Sequence, residues 1–380
     1  MNIFDVYKQY LLTPYRGGNS EIRGKYSIYA AGYEWNGSMG SGNSSSIHST
    51  PVKLPFKADM IAYRNGTLIY SVDNIVYAIG GSNSNLGLDN PDNYPIYESK
   101  VIFKGNNIKK IKANNSTLSI LDGNDLWVTG SNFYGSLGTG NTEDVSTLIK
   151  TQEDVIDFIV REECSYLIKS DGLYCCGQLA DANIDIPNFT DKYSFFKFSD
   201  ITDVDKLIGF SFTGIIATKT DNIYAYIFGK NNKNLFTNSA VTTVYQGSKF
   251  EDYFTSTNRI YCVNNLPETN YPLFCIVEDG TLKLRGYDNV TQSNAVTRDS
   301  WYSYKTDCSC CYSYSNSTLA YASNNDVYYI ETRGNPVKAM DSSLFKAGSK
   351  ILSIFYDNIF LGSGKYEPST FCLVDDTSWV

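Results

Sequence analysis

Four glycines recur in the stretch GSNFYGSLGTGN, residues 130–141, and such spacing is typical of loops that bind phosphate. A Walker-type loop needs a lysine and then a serine or threonine after its last glycine, so that an ammonium reaches the phosphates and a hydroxyl reaches the metal. Here Gly140 is followed by the sequence NTED, which places two carboxylates where an anion would have to lie. We therefore do not expect a nucleotide site in this stretch.

Acid–base or nucleophilic catalysis would need histidines or carboxylates held close together. The chain has one histidine, His48, in the polar segment SGNSSSIHSTP, and we expect it to be a solvated loop residue. Adjacent acids such as Glu162–Glu163 and Asp375–Asp376 point to opposite sides of a strand or turn. No catalytic residue is predicted, and we expect a protein that is not an enzyme.

The nine cysteines lack the paired C-x-x-C spacing of a zinc site. The densest group is Cys308, Cys310 and Cys311, and three thiolates on one strand could bind a soft metal. Strand alternation should turn Cys311 away from the other two, and no histidine lies nearby to complete a tetrahedron. We expect buried or half-buried thiols on a strand, with no metal and no cofactor.

The glycine pattern is repeated along the chain. Setting Gly32 on Gly130 aligns AGYEWNGSMGSGN with TGSNFYGSLGTGN at a separation of 98 residues, and IGGSNSNLGLDN lies halfway between them. A short apolar strand that ends in an acidic or Asn turn recurs seven times, with turn positions 49, 49, 50, 58, 46 and 50 residues apart. These positions are Asp73, Asp122, Asp171, Asp221, Asp279, Asn325 and Asp375.

A fixed period of this length predicts an array of small structural units. Asp-Gly or Asp-Asn between apolar runs favours a tight hairpin, and long stretches with a helical period are missing from residues 26–377. Four-stranded sheets repeated seven times can cover their faces when they are arranged radially. We predict an all-β, seven-bladed β-propeller over residues 25–377, an N-terminal arm over 1–24 and a tail over 378–380.

The third repeat carries a family resemblance. Its run GSNFYGSLGTGN, the following Thr-Glu-Asp segment and the later Ser-x-x-Leu-x-x-Asp-Gly type of hairpin resemble the repeat of the regulator of chromosome condensation family. The resemblance is close from Leu126 to Gly172, good in the first two repeats and skeletal in the last four. It implies that the glycines are structural, because in that family they allow tight turns and seat one blade against the next.

The chain also departs from that family. The family's His after a Gly, before the inner strand, is replaced by residues such as Gly66-Thr67 and Ser116-Thr117, and the Trp before the first Gly is Ala31, Ile79, Thr129 or Phe228. Nucleotide exchange on a small GTPase, which the resemblance implies, therefore cannot be assigned to particular residues here.

The composition limits the choice of partners. Lys and Arg number 32 against 40 Asp and Glu, so the net charge is −8 and a basic face for nucleic acid is not expected. No stretch approaches eighteen apolar residues, and the N-terminus lacks the basic and small-residue regions of a signal peptide. We expect synthesis in the cytoplasm, no membrane insertion and, if the protein leaves the cell, release as part of a larger particle such as a virion.

Tyrosine, at 31 residues, is abundant together with Asn and Ser, a mixture that favours recognition surfaces. A competing explanation is that tyrosines pack between blades and that an AT-rich genome enriches Tyr and Asn. The explanation as a recognition surface predicts that Trp35, Phe133, Tyr134 and Trp301 lie in exposed loops. The predicted ligand-binding residues are Trp35, Phe133, Tyr134, Tyr287, Trp301 and Tyr302.

The N-terminal segment has an apolar face at helical spacing, which ends at Thr13-Pro14. It is predicted to dock onto other proteins of an assembly or under its own propeller, through Ile3, Phe4, Tyr7, Tyr10 and Leu11. The repeat phase also predicts how the ring closes: the strand Tyr26–Ala30 should pair with the strand near Phe371–Val374.

These observations favour a binding or structural propeller. The leading hypothesis is a phage tail or baseplate component that recognises a carbohydrate or protein receptor on a host surface. The alternative, which rests on the resemblance, is a scaffold or guanine-nucleotide exchange factor for a small GTPase.

Overall fold

The computed structural model describes residues 24–40, 45–64, 66–81, 96–114, 116–161, 163–178, 192–202, 204, 206–211, 214–218, 225–229, 244–250, 260–263, 273–288, 291, 296–313, 319–331, 334–360 and 366–377. The predicted docking residues of the N-terminal arm, Ile3, Phe4, Tyr7, Tyr10 and Leu11, lie outside this set.

Six of the sheets formed by these residues consist of four consecutive antiparallel strands, and we call them blades 1 to 6. Blade 1 contains β3 (Met60–Arg64), β4 (Thr67–Val72), β5 (Ile75–Gly80) and β6 (Ile96–Lys104). Blade 2 contains β7 (Ile108–Ala113), β8 (Thr117–Asp122), β9 (Asp125–Gly130) and β10 (Val145–Gln152). Blade 3 contains β11 (Asp157–Ile159), β12 (Cys164–Lys169), β13 (Gly172–Gly177) and β14 (Lys192–Ser199).

Blades 4 to 6 repeat this order. Blade 4 contains β15 (Lys206–Ser211), β16 (Gly214–Thr218), β17 (Ala225–Gly229) and β18 (Val244–Phe250). Blade 5 contains β19 (Ile260–Val263), β20 (Leu273–Glu278), β21 (Thr281–Asp288) and β22 (Val296–Lys305). Blade 6 contains β23 (Cys308–Ser313), β24 (Leu319–Ser323), β25 (Asp326–Ile330) and β26 (Val337–Met340), followed by a short 3-10 helix (Ser342–Leu344).

The remaining sheet joins the two ends of the described chain, and we call it the closing blade. Its order is β2 (Ser45–Ala58), β1 (Tyr26–Trp35), β28 (Tyr366–Asp375) and β27 (Lys350–Phe360). In it Ser27 pairs with Val374 and Ala30 with Phe371, which confirms the closure predicted from the repeat phase. A strand from one end of the chain thus completes the hydrogen bonding of a strand from the other end.

The carboxylate of Asp376 stabilises this closure. Asp376 Oδ2 accepts hydrogen bonds from Ser27 Oγ at 2.7 Å and from Lys53 Nζ at 3.0 Å. Burial would raise the pKa of Asp376, but these two donors outweigh it and hold the pKa below its ordinary value.

The first strand of each of blades 1 to 6 and β27 of the closing blade lie innermost. Neighbouring inner strands pack against one another in the order β27, β3 and β7, and then β11, β15, β19, β23 and back to β27. Blades 2 and 3 are joined by Asn114 Nδ2, which donates to Val160 O at 3.0 Å. The sheets are therefore arranged radially, and the chain is an all-β propeller, as predicted.

Apolar faces of adjacent blades form the core. Ile69 and Val76 of blade 1 lie in one buried cluster with Ile111 and Ile120 of blade 2. Full burial of such a side chain stabilises the fold by about 1.5–3 kcal/mol. A blade alone would leave these faces in water, so each blade depends on its neighbours.

The recurring turns of blades 1 and 2 each connect their blade to the next one. Asp73 and Asn74 both have positive φ values, 48° and 63°, as the predicted hairpin turn requires. Asn74 O accepts the Gly105 N–H at 2.8 Å, and at the equivalent turn of blade 2 Asn124 O accepts the Val155 N–H at 2.9 Å. Each of these two turns thereby holds the segment that leads into the next inner strand.

The first glycine of each well-formed repeat lets the chain leave the third strand. Gly130 has φ +124°, and a Cβ built on it would lie 2.2 Å from Ser116 O. The next residue, Ser131, donates its N–H to the same carbonyl at 2.9 Å. Gly32, Gly80 and Gly177 show the same close approach to a carbonyl oxygen.

We predict that Gly130→Ala lowers the free energy of unfolding by about 2 kcal/mol or more, because the methyl group must displace backbone and the φ is unfavourable for Ala. Gly123→Ala in the same blade is the matched control, since Gly123 also has positive φ (61°) but its Cβ would meet nothing within 4 Å. Its cost should be about 1 kcal/mol. Urea unfolding measures both variants, and equal losses would contradict the steric explanation.

Candidate binding surface

The loop of residues 131–144 between β9 and β10, here the glycine loop, is built around one buried amide. Asn132 Oδ1 accepts the Leu137 N–H at 2.9 Å, and Asn132 Nδ2 donates to Thr139 Oγ1 at 2.9 Å and to Asn141 O at 3.0 Å. Asn132 and Leu137 are fully buried. The loop therefore has a fixed internal structure, although it contains no regular element.

The glycine loop lies against β14, the outer strand of blade 3. Gly140 donates its N–H to Tyr193 O at 2.8 Å, and Thr139 forms an isolated bridge with Ser194. A Cβ on Gly135 would lie 2.2 Å from the ring of Tyr193, and one on Gly138 would lie 2.4 Å from the ring of Phe195. The glycines thus seat one blade against the next, as the family resemblance implies.

An aromatic surface forms at the tip of this loop. The Phe133 side chain is 73% exposed, and its ring lies 4.9 Å from the ring of Tyr134 at an angle of 88°. Tyr193, which is 40% exposed, lies against Gly135, directly after Tyr134 in the chain. We call Phe133, Tyr134 and Tyr193 the aromatic patch.

The surroundings of the aromatic patch are polar and acidic. Asn141, Thr142, Glu143 and Asp144 are exposed. Asp144 Oδ1 accepts the Asn132 N–H at 2.8 Å, and Asn141 Oδ1 accepts the Glu143 N–H at 3.0 Å, so both side chains are fixed. Exposed rings beside fixed hydrogen-bonding groups can contact the apolar and polar parts of a ligand together.

The structure places two of the predicted contact residues in a loop and two in strands. Phe133 and Tyr134 lie in a loop, as predicted. Trp35 is the last residue of β1 and Trp301 lies within β22, so the prediction that these two lie in exposed loops is wrong. Tyr193 was not predicted; its place follows from the contact between two blades.

Strand pairing explains these two errors. β1 continues beyond Gly32 because β2 pairs with it as far as Trp35–Ser45. Aromatic residues favour strands, and Trp301 continues a strand that is paired with β21 on both sides of it. Tyr287 and Tyr302 also lie in blade 5, in β21 and β22, so the structure does not bring them to the aromatic patch.

A second site involves the only histidine. The alignment of Gly32 with Gly130 places Glu34 on Asn132, and Glu34 Oε1 accepts the Met39 N–H at 2.9 Å as Asn132 accepts that of Leu137. Glu34 is fully buried, and its Oε2 lies 2.7 Å from His48 Nε2. The prediction of a solvated loop residue is wrong, because His48 lies in β2 as the partner of a buried carboxylate.

This group does not have the geometry of a catalytic triad. Ser46 Oγ lies 3.1 Å from His48 Nε2, which is the same nitrogen that contacts Glu34. In a triad the two ring nitrogens serve different partners, so that one orients the ring and the other takes the serine proton. Instead, His48 is the partner of the buried carboxylate of Glu34, which occupies the position that Asn132 has in blade 2.

The eight cysteines whose side chains the structure describes are buried, as predicted, but their partners differ from the expectation. Cys308 and Cys311 share one core cluster with Cys275, while Cys310 lies in another with Cys372. The prediction that Cys311 turns away from both others is wrong. The pairing of β23 with β24 has a register shift between Cys308 and Cys310, which changes the alternation of the side chains that follow. Within the described part of the chain, no group of His, Cys, Asp and Glu side chains could hold a metal ion.

Comparison with solved structures shows the fold. A crystal structure of human WBSCR16 is 14% identical, with a TM-score of 0.64 over 93% of this chain and 100% of that chain. Kluyveromyces lactis Hsv2 (12% identity, 72% of each chain, TM-score 0.38) and the N-terminal domain of Nup159 (12% identity, 88% and 80%, TM-score 0.37) match more loosely. The likeness to WBSCR16 shows a β-propeller and, at this identity, nothing about activity.

No protein-family model matches the sequence, and no curated protein matches it either. Within the described ranges, no helix is long and apolar enough to cross a membrane.

We predict that His48→Ala lowers the free energy of unfolding by about 2 kcal/mol near neutral pH, because it removes the partner of a buried carboxylate. Adding Glu34→Asn should recover most of the loss, since Asn132 performs the same task in blade 2 without a histidine. Denaturant unfolding of both variants tests this. A double variant no more stable than His48→Ala alone would argue against the compensation.

Proposed function

We propose that this protein is a non-enzymatic recognition propeller and that it binds its ligand through the aromatic patch. The observation that carries the proposal is the exposure of Phe133, 73%, on a loop whose backbone is fixed from within and from the next blade. A large apolar side chain held rigidly in water loses little conformational freedom on binding. Such residues are typical centres of binding energy.

The chemistry of the patch favours a carbohydrate. The perpendicular rings of Phe133 and Tyr134 offer apolar faces to the C–H surface of a sugar. The exposed amide of Asn141 and the carboxylates of Glu143 and Asp144 can accept hydrogen bonds from sugar hydroxyls. The acidic neighbours and the net charge of −8 argue against a nucleic acid or another polyanion as the ligand.

The biological setting that we propose is a phage tail or baseplate, in which the propeller recognises a host surface. The abundance of Tyr, Asn and Ser and the apolar N-terminal segment support this setting. In it, Ile3, Phe4, Tyr7, Tyr10 and Leu11 would dock onto other proteins of the assembly while the aromatic patch meets the receptor, and the protein would be carried on the virion.

The alternative is a scaffold or exchange factor for a small GTPase. The seating of the glycine loop on β14 supports it, since this is the role that the family resemblance implies for these glycines. A shared fold does not fix a shared activity, so the recognition proposal is preferred.

We expect Phe133→Ala to weaken binding to isolated bacterial wall polysaccharide about tenfold or more, because it removes the most exposed ring of the patch. Val337→Ala is the matched control: Val337 is an exposed apolar residue (46%) in β26 of blade 6, and its loss should leave binding unchanged. Sedimentation with the polysaccharide or with whole cells measures the affinity.

Equal affinity of Phe133→Ala and the unaltered protein for the polysaccharide would show that the aromatic patch is not the binding site. Acceleration of GDP release from a small GTPase, without polysaccharide binding, would favour the alternative.

A further inference from the structure

The two rings at the tip of the glycine loop form a corner. The rings of Phe133 and Tyr134 lie 4.9 Å apart at an angle of 88°, so a group placed between them meets the face of each ring. The face of an aromatic ring carries partial negative charge, and a cation held against it is attracted. The corner therefore has the geometry that suits a positively charged group as well as an apolar one.

Two carboxylates lie beside this corner. Asp144 Oδ1 accepts the Asn132 N–H at 2.8 Å, which fixes the carboxylate next to the backbone that leads directly into Phe133. Glu143 precedes it, and both residues are exposed. In the part of the chain that the structure describes, neither carboxylate forms an ion pair. The negative charge of the corner is thus left for a ligand to neutralise.

The described base nearest to the patch in the chain does not supply this counter-charge. Lys192 directly precedes Tyr193 on β14, and adjacent residues of a strand point to opposite faces. Since Tyr193 is the residue that lies against Gly135 of the glycine loop, Lys192 is directed away from the loop.

The kind of cation follows from the exposed rings. A primary ammonium is compact and strongly hydrated, so it loses bonds to water when it moves onto an apolar ring. A quaternary ammonium has no N–H donors, and its methyl groups can pack against both rings while its charge remains beside the carboxylates. We propose that the aromatic patch binds a quaternary ammonium group carried by the surface polysaccharide. This inference rests on the proposed function, because it names the part of the ligand that enters the same site.

Choline is the probe, and saturation-transfer NMR on the full chain detects its contact with the protein. The methyl protons of choline should receive saturation from the protein. The neutral isostere, in which carbon replaces the nitrogen, and ethanolamine, which has a primary ammonium, should receive much less. Added salt should weaken the choline signal, because the exposed carboxylates are screened.

Variants separate the rings from the charges. Phe133→Ala should abolish the choline signal, whereas the double variant Glu143→Gln with Asp144→Asn should lower the affinity for choline about threefold or more. Asn at position 144 keeps an oxygen that can accept the Asn132 N–H, so the loop is preserved. Asp154→Asn is the control for charge: Asp154 is exposed beyond the other end of β10, and its φ of 58° is one that Asn tolerates. It should leave the choline signal unchanged.

Competition distinguishes this inference from the proposed function. Choline, but not its neutral isostere, should release the unaltered protein from the sedimented polysaccharide. Polysaccharide binding that requires Phe133 but is insensitive to choline would overturn the quaternary ammonium and leave the recognition function intact. Equal choline and isostere signals, or an undiminished choline affinity in the double variant, would also contradict the inference. Failure of the unaltered protein to bind polysaccharide at all would instead contradict the proposed function.

Discussion

Each blade of this propeller can bury its two faces only against other blades, and the rest of the structure depends on this constraint. Ile69 of blade 1 and Ile120 of blade 2 have no accessible surface because their sheets face each other. The chain must therefore bring every new sheet into contact with the previous one. It does so through turns such as Asn74, which bonds the segment before the next inner strand, and through glycines such as Gly130, which let the strand end against a carbonyl. The closing blade meets the same requirement by pairing β1 with β28, which lie at the two ends of the described chain.

Several polar groups inside this arrangement are compensated by particular partners. The glycine loop uses a buried amide, Asn132, where the first repeat uses a buried carboxylate, Glu34, and only the carboxylate requires a histidine beside it. The pairing of Lys110 with Asp157 shows the same principle between blades 2 and 3.

The proposed binding site depends on the contact between two blades. The aromatic patch lies at the outer edge, where a loop fixed by two blades presents Phe133 to solvent.

The sequence alone determined the features that recur or that depend on adjacent residues. The period of about fifty residues, the Asp and Asn turns and the phase of the closing strand all follow from local patterns, and Phe133 and Tyr134 could be placed in a loop because glycines surround them. Tertiary structure decided what depends on distant pairing. It extended β1 to Trp35, placed Trp301 within β22, shifted the alternation of Cys308 and Cys311 and joined His48 to Glu34. None of these features follows from the neighbouring residues in the chain, because strand pairing and buried contacts join segments that lie far apart in the sequence.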